Sequence, residues 1–357
     1  MVGSLKRLTA GLSEGKPGFL LGLFYGRRGG EDGVYDRYQR QITYLRISVT
    51  ECCNMRCFYC RPGQGGACAE DGMSIDDIVR VVRAGASVGI RKLRLTGGEP
   101  LVRTDIVKLT DALAAVPGID DIAITTNGIL LKRYAKSLKE AGLKRVNVSL
   151  DSLRPGRFRE ITRTDAWQDV MDGIEAALDA GLEPVKLNTV VMRGINDDEI
   201  YDFACLAFER PLHVRFIELM PIGTGSDWSE KLFISADELR NRLLSAFGQF
   251  KPVGCMGGSG PAKYWQLPGG RGTIGFIAPL SGYFCSACNR LRLTAAGTLR
   301  PCLCQGHEID IKPLLAAGAA EDELRAAIVR AIEAKPEGNG ENGIIPVKDK
   351  LMSQIGG

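Results

Sequence analysis

The stretch Tyr44-Leu-Arg-Ile-Ser-Val-Thr50 and, after two intervening residues, Cys53-Asn-Met-Arg-Cys57-Phe-Tyr-Cys60 decide how the whole chain is read. The first is an apolar, β-branched run of strand length, and the second packs three thiols into eight residues directly behind it. Working outward, the same kind of run recurs at 92–96, 122–125, 145–150, 184–191 and 213–218. Most of the intervals carry helical periodicity, as at 74–89, 104–116 and 167–181. Strands alternating with amphipathic helices imply a parallel sheet of βα units, and chemistry placed in the loops after strands. The loops behind Val49, Thr96, Thr125 and Leu150 are the ones to watch.

Six units are too few for a closed eight-fold barrel. The expected fold is α/β: an incomplete (β/α)6 barrel of the triose-phosphate-isomerase-like kind, closed by a smaller C-terminal α+β domain. Past Phe233 the pattern turns to glycine-rich turns and β-like pieces at 263–267, 272–278 and 291–299, then a helix at 321–334 and a polar connector at 335–343. The expected division is a flexible extension over 1–40, a barrel over 41–232 and a second domain over 233–357. The extension carries seven basic residues against four acidic ones, most of the chain's net charge of +4.

Composition narrows the chemistry. With 46 basic and 42 acidic residues interspersed, nothing marks a nucleic-acid binder. The apolar run at 18–26 is too short to span a bilayer and lacks a cleavage site, so the expectation is a cytoplasmic protein without membrane or nucleic-acid partners. Eleven cysteines stand beside only two histidines, His213 and His307. That ratio disfavours imidazole-based catalysis and histidine-rich metal sites, and points to thiolates.

Cys53, Cys57 and Cys60, spaced x3 and x2, suit three irons of a cubane whose fourth iron stays open to a ligand. A closed zinc knuckle would want a fourth cysteine nearby. Cys285, Cys288 and Cys302 repeat the arrangement near the C-terminus, where Cys304 could complete a closed site. Arg290 and Arg292 alternate along a strand beside them and so share a face, as paired guanidinium groups for a polyphosphate would.

The C-x3-C-x2-C loop, with Tyr59 before its last cysteine, resembles the signature of the radical S-adenosylmethionine (SAM) superfamily, and Gly97-Gly98-Glu99-Pro100 resembles that superfamily's SAM-binding glycine motif. The ordered set of Tyr44–Thr50, Leu95-Thr-Gly-Gly-Glu-Pro-Leu101, Thr125-Thr-Asn-Gly128, Asn147-Val-Ser-Leu-Asp-Ser152, Phe284-Cys-Ser-Ala-Cys-Asn-Arg-Leu-Arg-Leu293 and the terminal Gly356-Gly357 is similar to the molybdenum cofactor biosynthesis protein A family, the GTP 3′,8-cyclases, over roughly residues 35–357. The resemblance implies two [4Fe-4S] clusters, SAM as cofactor and GTP as substrate. It implies a 5′-deoxyadenosyl radical that takes the ribose 3′ hydrogen, after which the carbon closes onto C8 of the guanine. It further implies a reduced electron donor such as flavodoxin or ferredoxin, and a monomer or homodimer.

Carried over position by position, the resemblance makes Cys53, Cys57 and Cys60 ligands of the first cluster and Cys285, Cys288 and Cys302 ligands of the second. SAM contacts fall on Tyr59, Gly98, Ser149 and Met220, and GTP contacts on Arg46, Arg94, Thr125, Lys186, Arg290, Leu291 and Arg292. Arg46, Arg94 and Lys186 are charges inside strands, costly unless paired or bound to a ligand. Cys52 departs from the pattern, lying x4 from Cys57 and raising a question of register. Cys68, Cys205 and Cys255 are isolated thiols. Gly270-Arg-Gly-Thr-Ile-Gly275 mimics a dinucleotide fingerprint but is followed by a strand-like segment, and no P-loop occurs. The rival readings are a radical SAM peptide-modifying enzyme with an auxiliary cluster, and a zinc-bound structural protein.

Overall fold

Strand parity organises the barrel. The computed structural model describes residues 33–61, 72–223, 229–254, 260–282, 284–305, 307–338, 347 and 350–355. In it β1 (Tyr44–Ser48), β2 (Lys92–Thr96), β3 (Asp121–Thr126), β4 (Arg145–Ser149), β5 (Val185–Val191) and β6 (Leu212–Glu218) lie side by side, all parallel. Alternate residues such as Leu45, Ile47, Leu93, Leu95, Val146 and Val148 enter one apolar core on the outer face. The others, among them Arg46, Arg94, Thr125, Asn147, Lys186 and Arg215, turn to the inner face. Fully burying one of the outer leucines contributes roughly 1.5–3 kcal/mol, so this alternation fixes which face is which.

The outer face is covered by α1 (Ile75–Ala86), α2 (Ile106–Ala114), α3 (Leu131–Glu140), α4 (Pro155–Thr162), α5 (Trp167–Asp179) and α6 (Ile200–Glu209). Their buried residues, for example Ile78, Val81 and Val82 of α1, recur at helical spacing. Ser74 starts α1 by accepting from the Asp77 amide at 3.1 Å, and acidic Asp76 and Asp77 suit the positive end of the helix. The partial barrel expected from the sequence is thus observed.

The C-terminal stretch differs from its sequence reading in two respects. After the short α7 (Ser229–Leu232), it opens with a regular helix, α8 (Ala236–Phe247), capped by Ser235. The single β-like piece at 291–299 is a hairpin of β10 (Arg290–Leu293) and β11 (Thr298–Arg300), because Gly297 at φ +84° closes a turn onto Thr294. β7 (Lys251–Val253), β8 (Lys263–Gln266), β9 (Thr273–Ile277) and β12 (Ile309–Asp310) complete a sheet of order β12-β11-β10-β1-β2-β3-β4-β5-β6-β9-β8-β7. β9 pairs parallel with β6 and β10 parallel with β1, so the C-terminal stretch extends the barrel sheet at both ends. The dinucleotide-like glycines lead into strand β9, as their sequence context implied. α9 (Lys312–Ala316) and α10 (Glu321–Glu333) follow, the latter packed on α1.

Order begins before Tyr44. Residues from Gly33 onward form one compact unit, in which Asp36 is 2 % and Arg40 7 % exposed. Cys68, Cys255, the terminal Gly356-Gly357 and residues 1–32 lie outside the described residues.

Candidate active site

Thiols stand at both ends of β1. Behind its carboxyl end, the cysteine loop is stitched to the loop behind β2: Gly98 N–H donates to the Thr50 carbonyl (2.8 Å) and Glu99 N–H to that of Cys52 (2.6 Å). A Cβ at Gly97 would lie 2.3 Å from the Thr50 oxygen, and one at Gly98 2.3 Å from the Cys52 oxygen. Both glycines are therefore required by packing between the two loops, whatever ligand also approaches them. Glu99 is buried and accepts from the Leu101 and Asn127 amides and the Thr126 hydroxyl, and burial lifts its carboxyl to about 7. The other side of the cysteine loop is tied to the end of α4 by Arg56 N–H to Thr162 O (3.0 Å) and Phe58 N–H to Ile161 O (3.1 Å).

Cys53, Cys57 and Cys60 are free thiols, partly buried in this loop. Burial pushes them up: Cys57 well above its ordinary value, with Asp151 and the other two thiols adding to burial, and Cys60 to about 12, with Cys53 adding. Cys53 is raised by burial as well, against opposing hydrogen bonds from Met55 N–H and Asn127. Three thiols that burial keeps from ionising fit a group that brings its own positive charge, as iron does. Cys52 is held in a disulfide, which leaves Cys53 as the thiol of the register. Tyr59 donates its hydroxyl to Asp151 at 2.6 Å and stands edge-on to Phe58. Burial and this hydroxyl leave the Asp151 carboxyl at about 6.

The second set lies beyond the amino end of β1. β10 runs parallel to β1 with Arg290 beside Tyr44, so Cys285 and Cys288 precede that end, and Cys302 and Cys304 reach the same level on the far side of antiparallel β11. At ~3.3 Å per residue, the five residues of β1 hold the two thiol sets roughly 16 Å apart. Here cations dominate. Burial would raise Cys288, but Arg290 and Lys335 outweigh it and hold the thiol at about 6, with Arg290 Nη2 3.4 Å from its sulfur. Cys304 is pushed up to about 12 by burial and by Cys302, which makes it the poorer thiolate. Among the described residues no three His, Cys, Asp or Glu side chains close in as around a single ion. A cubane holds its thiolates further apart, one on each iron.

Between the two sets runs a row of guanidinium groups. Registers place Arg292 of β10 beside Arg46 of β1, and Arg46 beside Arg94 of β2, all on the inner face. Two such charges on neighbouring strands repel by roughly 3 kcal/mol at an effective dielectric of about 20. Burial first, and then Arg292, Arg94 and Arg290, depress Arg46 well below its ordinary value, and Arg292 is brought to about 10 by burial and Arg290. Among the described residues Arg46, Arg94, Arg215 and Arg290 form no ion pair, and the Nε atoms of Arg46 and Arg215 have no hydrogen-bond partner. Arg145 and Arg300, whose Nε atoms also lack a partner, are by contrast ion-paired with Asp121 and Glu308. The facing wall adds Lys186, 5.8 Å from the centre of the Tyr264 ring, and His213, whose imidazole burial, Lys186 and Arg215 hold at about 4.

The remaining expected residues divide. Thr125 is on the inner face, accepting from Arg94 Nη1 (3.3 Å) and Asn147 Nδ2 (3.2 Å); it caps no helix. Ser149 ends β4 beside Asn188. Met220 packs with Ile222, Val347 and Ile355 near Leu303 and Met352. Leu291 is on the opposite face, 1 % exposed in the core, so only its main chain could border a ligand. His307 is exposed, and Cys205 is an exposed free thiol. Sequence reasoning missed Arg215, although it follows inward His213 by two and strand parity points to it. It also missed Arg40 and Lys335, which no local pattern marks. Among the described residues, no helix is long and apolar enough to cross a membrane.

Known proteins give this geometry its context. The model of the radical SAM superfamily matches residues 47–207, and that of the Molybdenum Cofactor Synthesis C family matches 212–341. A GTP 3′,8-cyclase of Pelotomaculum thermopropionicum is 52 % identical over 327 residues, 91 % of this chain and 100 % of the relative. One from Moorella thermoacetica is 53 % identical over the same length and coverage. Among solved structures, Streptococcus suis SuiB bound to precursor peptide SuiA superposes with a TM-score of 0.58 at 16 % identity, covering 84 % of this chain and 66 % of that one, a likeness of fold alone. With half its residues shared across almost the full length of these relatives, the chain belongs to the radical SAM superfamily and, within it, to the GTP 3′,8-cyclase family.

Proposed function

We propose that this chain converts GTP to 3′,8-cyclo-7,8-dihydro-GTP, the first step of molybdenum cofactor biosynthesis. The observation that carries the reading is the row Arg292–Arg46–Arg94, a line of like charges on the inner face between two thiol sets, in which Arg46 and Arg94 form no ion pair among the described residues. Such a row is unfavourable in an empty protein and favourable around a polyanion, and a nucleoside triphosphate supplies one. Arg290, Lys186 and Arg215 widen the cradle, and Thr125 and Asn147 offer polar groups on the same face.

Cys53, Cys57 and Cys60 would hold the first [4Fe-4S] cluster, and Cys285, Cys288 and Cys302 the second, with Cys304 remaining a thiol. Gly98, Ser149, Tyr59 and Met220 would border SAM. When bound, cluster and SAM supply one-electron radical chemistry that opens the C–H bond at the ribose 3′ carbon. The protein's part is to align that carbon with the site of Cys53, Cys57 and Cys60 and to neutralise the triphosphate. Reduction comes from a donor of the flavodoxin or ferredoxin type. The barrel over 41–232 would serve the first cluster and the stretch over 233–357 the second, in a cytoplasmic monomer or homodimer.

Incubating the anaerobically reconstituted, reduced enzyme with SAM and GTP tests this. It should release 5′-deoxyadenosine together with the cyclised nucleotide. Release of 5′-deoxyadenosine with a peptide but none with GTP would overturn the reading in favour of peptide modification.

A further inference from the structure

The polar segment after α10 does more than connect. Lys335 is 4 % exposed, and its ammonium donates to the carbonyl oxygens of Arg290 (2.9 Å) and Pro301 (2.7 Å). Arg290 lies two residues past Cys288, and Pro301 immediately precedes Cys302. One cation thus joins the two chain segments that carry these thiols. The carbonyls of Pro336 and Glu337 accept from Arg40 at 2.6 and 2.8 Å, and the same guanidinium donates to the Cys285 carbonyl at 2.8 Å while Asp36 holds it from behind at 2.6 Å. Gly338 passes so close that a Cβ there would lie 3.1 Å from Cys285 Cβ. Residues 335–338 therefore reach all three thiol-bearing positions, and Lys335 brings the one buried charge among them, the Glu337 side chain being exposed.

We propose that Lys335 is a positioning residue for the second cysteine site: it clamps the segments of Cys288 and Cys302 together and sets a buried positive charge that raises the reduction potential of the iron–sulfur group there. The inference rests on the reading of Cys285, Cys288 and Cys302 as cluster ligands. Reduction adds one negative charge to a buried group, and a fixed cation alongside stabilises the reduced state more than the oxidised one. Two carbonyl acceptors explain why the lysine stays in place without a carboxylate. A carboxylate at this point would cancel the field.

The test is an anaerobic redox titration of the reconstituted holoenzyme followed by electron paramagnetic resonance, with the second signal identified as the one missing from Cys288→Ser. If the parent binds only about four irons, or Cys288→Ser loses no signal, the cluster reading itself fails. With roughly eight irons bound, Lys335→Gln should lower the potential of the second signal and leave the first in place, whereas Lys335→Arg should keep both. An unchanged second potential in Lys335→Gln, or an equal fall in Lys335→Arg, overturns the proposal. Should Lys335→Gln retain no second cluster, Lys335→Arg decides: a second signal at the parental potential supports the assignment, and its loss overturns it.

Discussion

The two thiol sets are alike in number, three cysteines each, and are opposites in surroundings. The upper set, behind β1, sits among backbone joints and an acid: Asp151 lies near it, burial pushes its thiols up, and among the described residues Arg61 opposes the rise at Cys53 and Cys60. The lower set is ringed by cations, with Arg290 and Lys335 pulling Cys288 to about 6. The difference fits a division of labour. A group held above, in an anionic setting, is easier to oxidise and suits giving an electron away. A group held below, in a cationic setting next to the guanidinium row, suits holding an anionic substrate in place.

The largest effect should come from removing one thiol at each end. Cys57→Ser should reduce 5′-deoxyadenosine release to background, because the electron-giving site is lost. Cys288→Ser should still cleave SAM and yet form no cyclised nucleotide. Chromatography of both products checks the pair, and a Cys288→Ser enzyme that no longer cleaves SAM would collapse the distinction between the two sites.

The metal-free protein should keep the contrast as a difference in reactivity. Cys288, lowered to about 6, is mostly thiolate at pH 7, while Cys60, raised to about 12, is almost wholly thiol. Thiolate fractions differ by about five orders of magnitude, and the weaker intrinsic nucleophilicity of a low-pKa thiolate returns about half of that on a logarithmic scale. Brief alkylation near neutral pH should therefore label Cys288 roughly a few hundredfold faster than Cys60. Its rate should be flat above pH 7 and fall as pH drops through 6, the sign required of a lowered pKa. Peptide mapping after a pH series reads this directly, and equal labelling of the two cysteines would remove the electrostatic contrast.

Next in size is the substrate cradle between the sites. Arg292→Ala deletes a charge-assisted contact of about 1.5–3 kcal/mol, so GTP affinity should fall by ~10- to 150-fold. SAM affinity should be unchanged, because Arg292 faces the lower half of the lumen beside Arg46. Calorimetry with each ligand separates the two, and equal weakening of both would mean that the row does not discriminate between them.

How much of this was legible from the chain follows from the range of the interactions. Barrel strands, the outer helices and both cysteine sets were readable, because alternation and short spacings are local. Arg46, Arg94 and Lys186 were singled out by the family resemblance, with the support that a charge inside a strand is anomalous where it stands. The hairpin at Gly297 was missed because its two strands have similar composition and only a short turn parts them. Arg40 and Lys335 were illegible for a different reason: their acceptors are carbonyls 245 and 45 residues away, and a main-chain acceptor leaves no mark on side-chain sequence. The role of Gly97 and Gly98 in letting two loops meet was likewise hidden until Thr50 and Cys52 stood opposite them.

The smallest expected effect has the less familiar sign. Arg46 is on the inner face with an Nε that bonds to nothing, and Arg292 and Arg94 lie beside it on the neighbouring strands. In the ligand-free protein this arrangement costs stability, because a buried cation without a partner loses hydration and gains only repulsion. Arg46→Met keeps most of the length and removes the charge, so the ligand-free protein should gain about 1 kcal/mol, or ~2 °C in Tm for a chain of this size. The same variant should bind GTP more weakly, and GTP should raise its Tm less than it raises that of the parent. Scanning calorimetry with and without GTP at fixed concentration reads both quantities. A ligand-free Arg46→Met protein that melts well below the parent would show that the lumen satisfies Arg46 structurally, and the contrast between a cradle kept for substrate and the paired Arg145 and Arg300 further along the sheet would no longer hold.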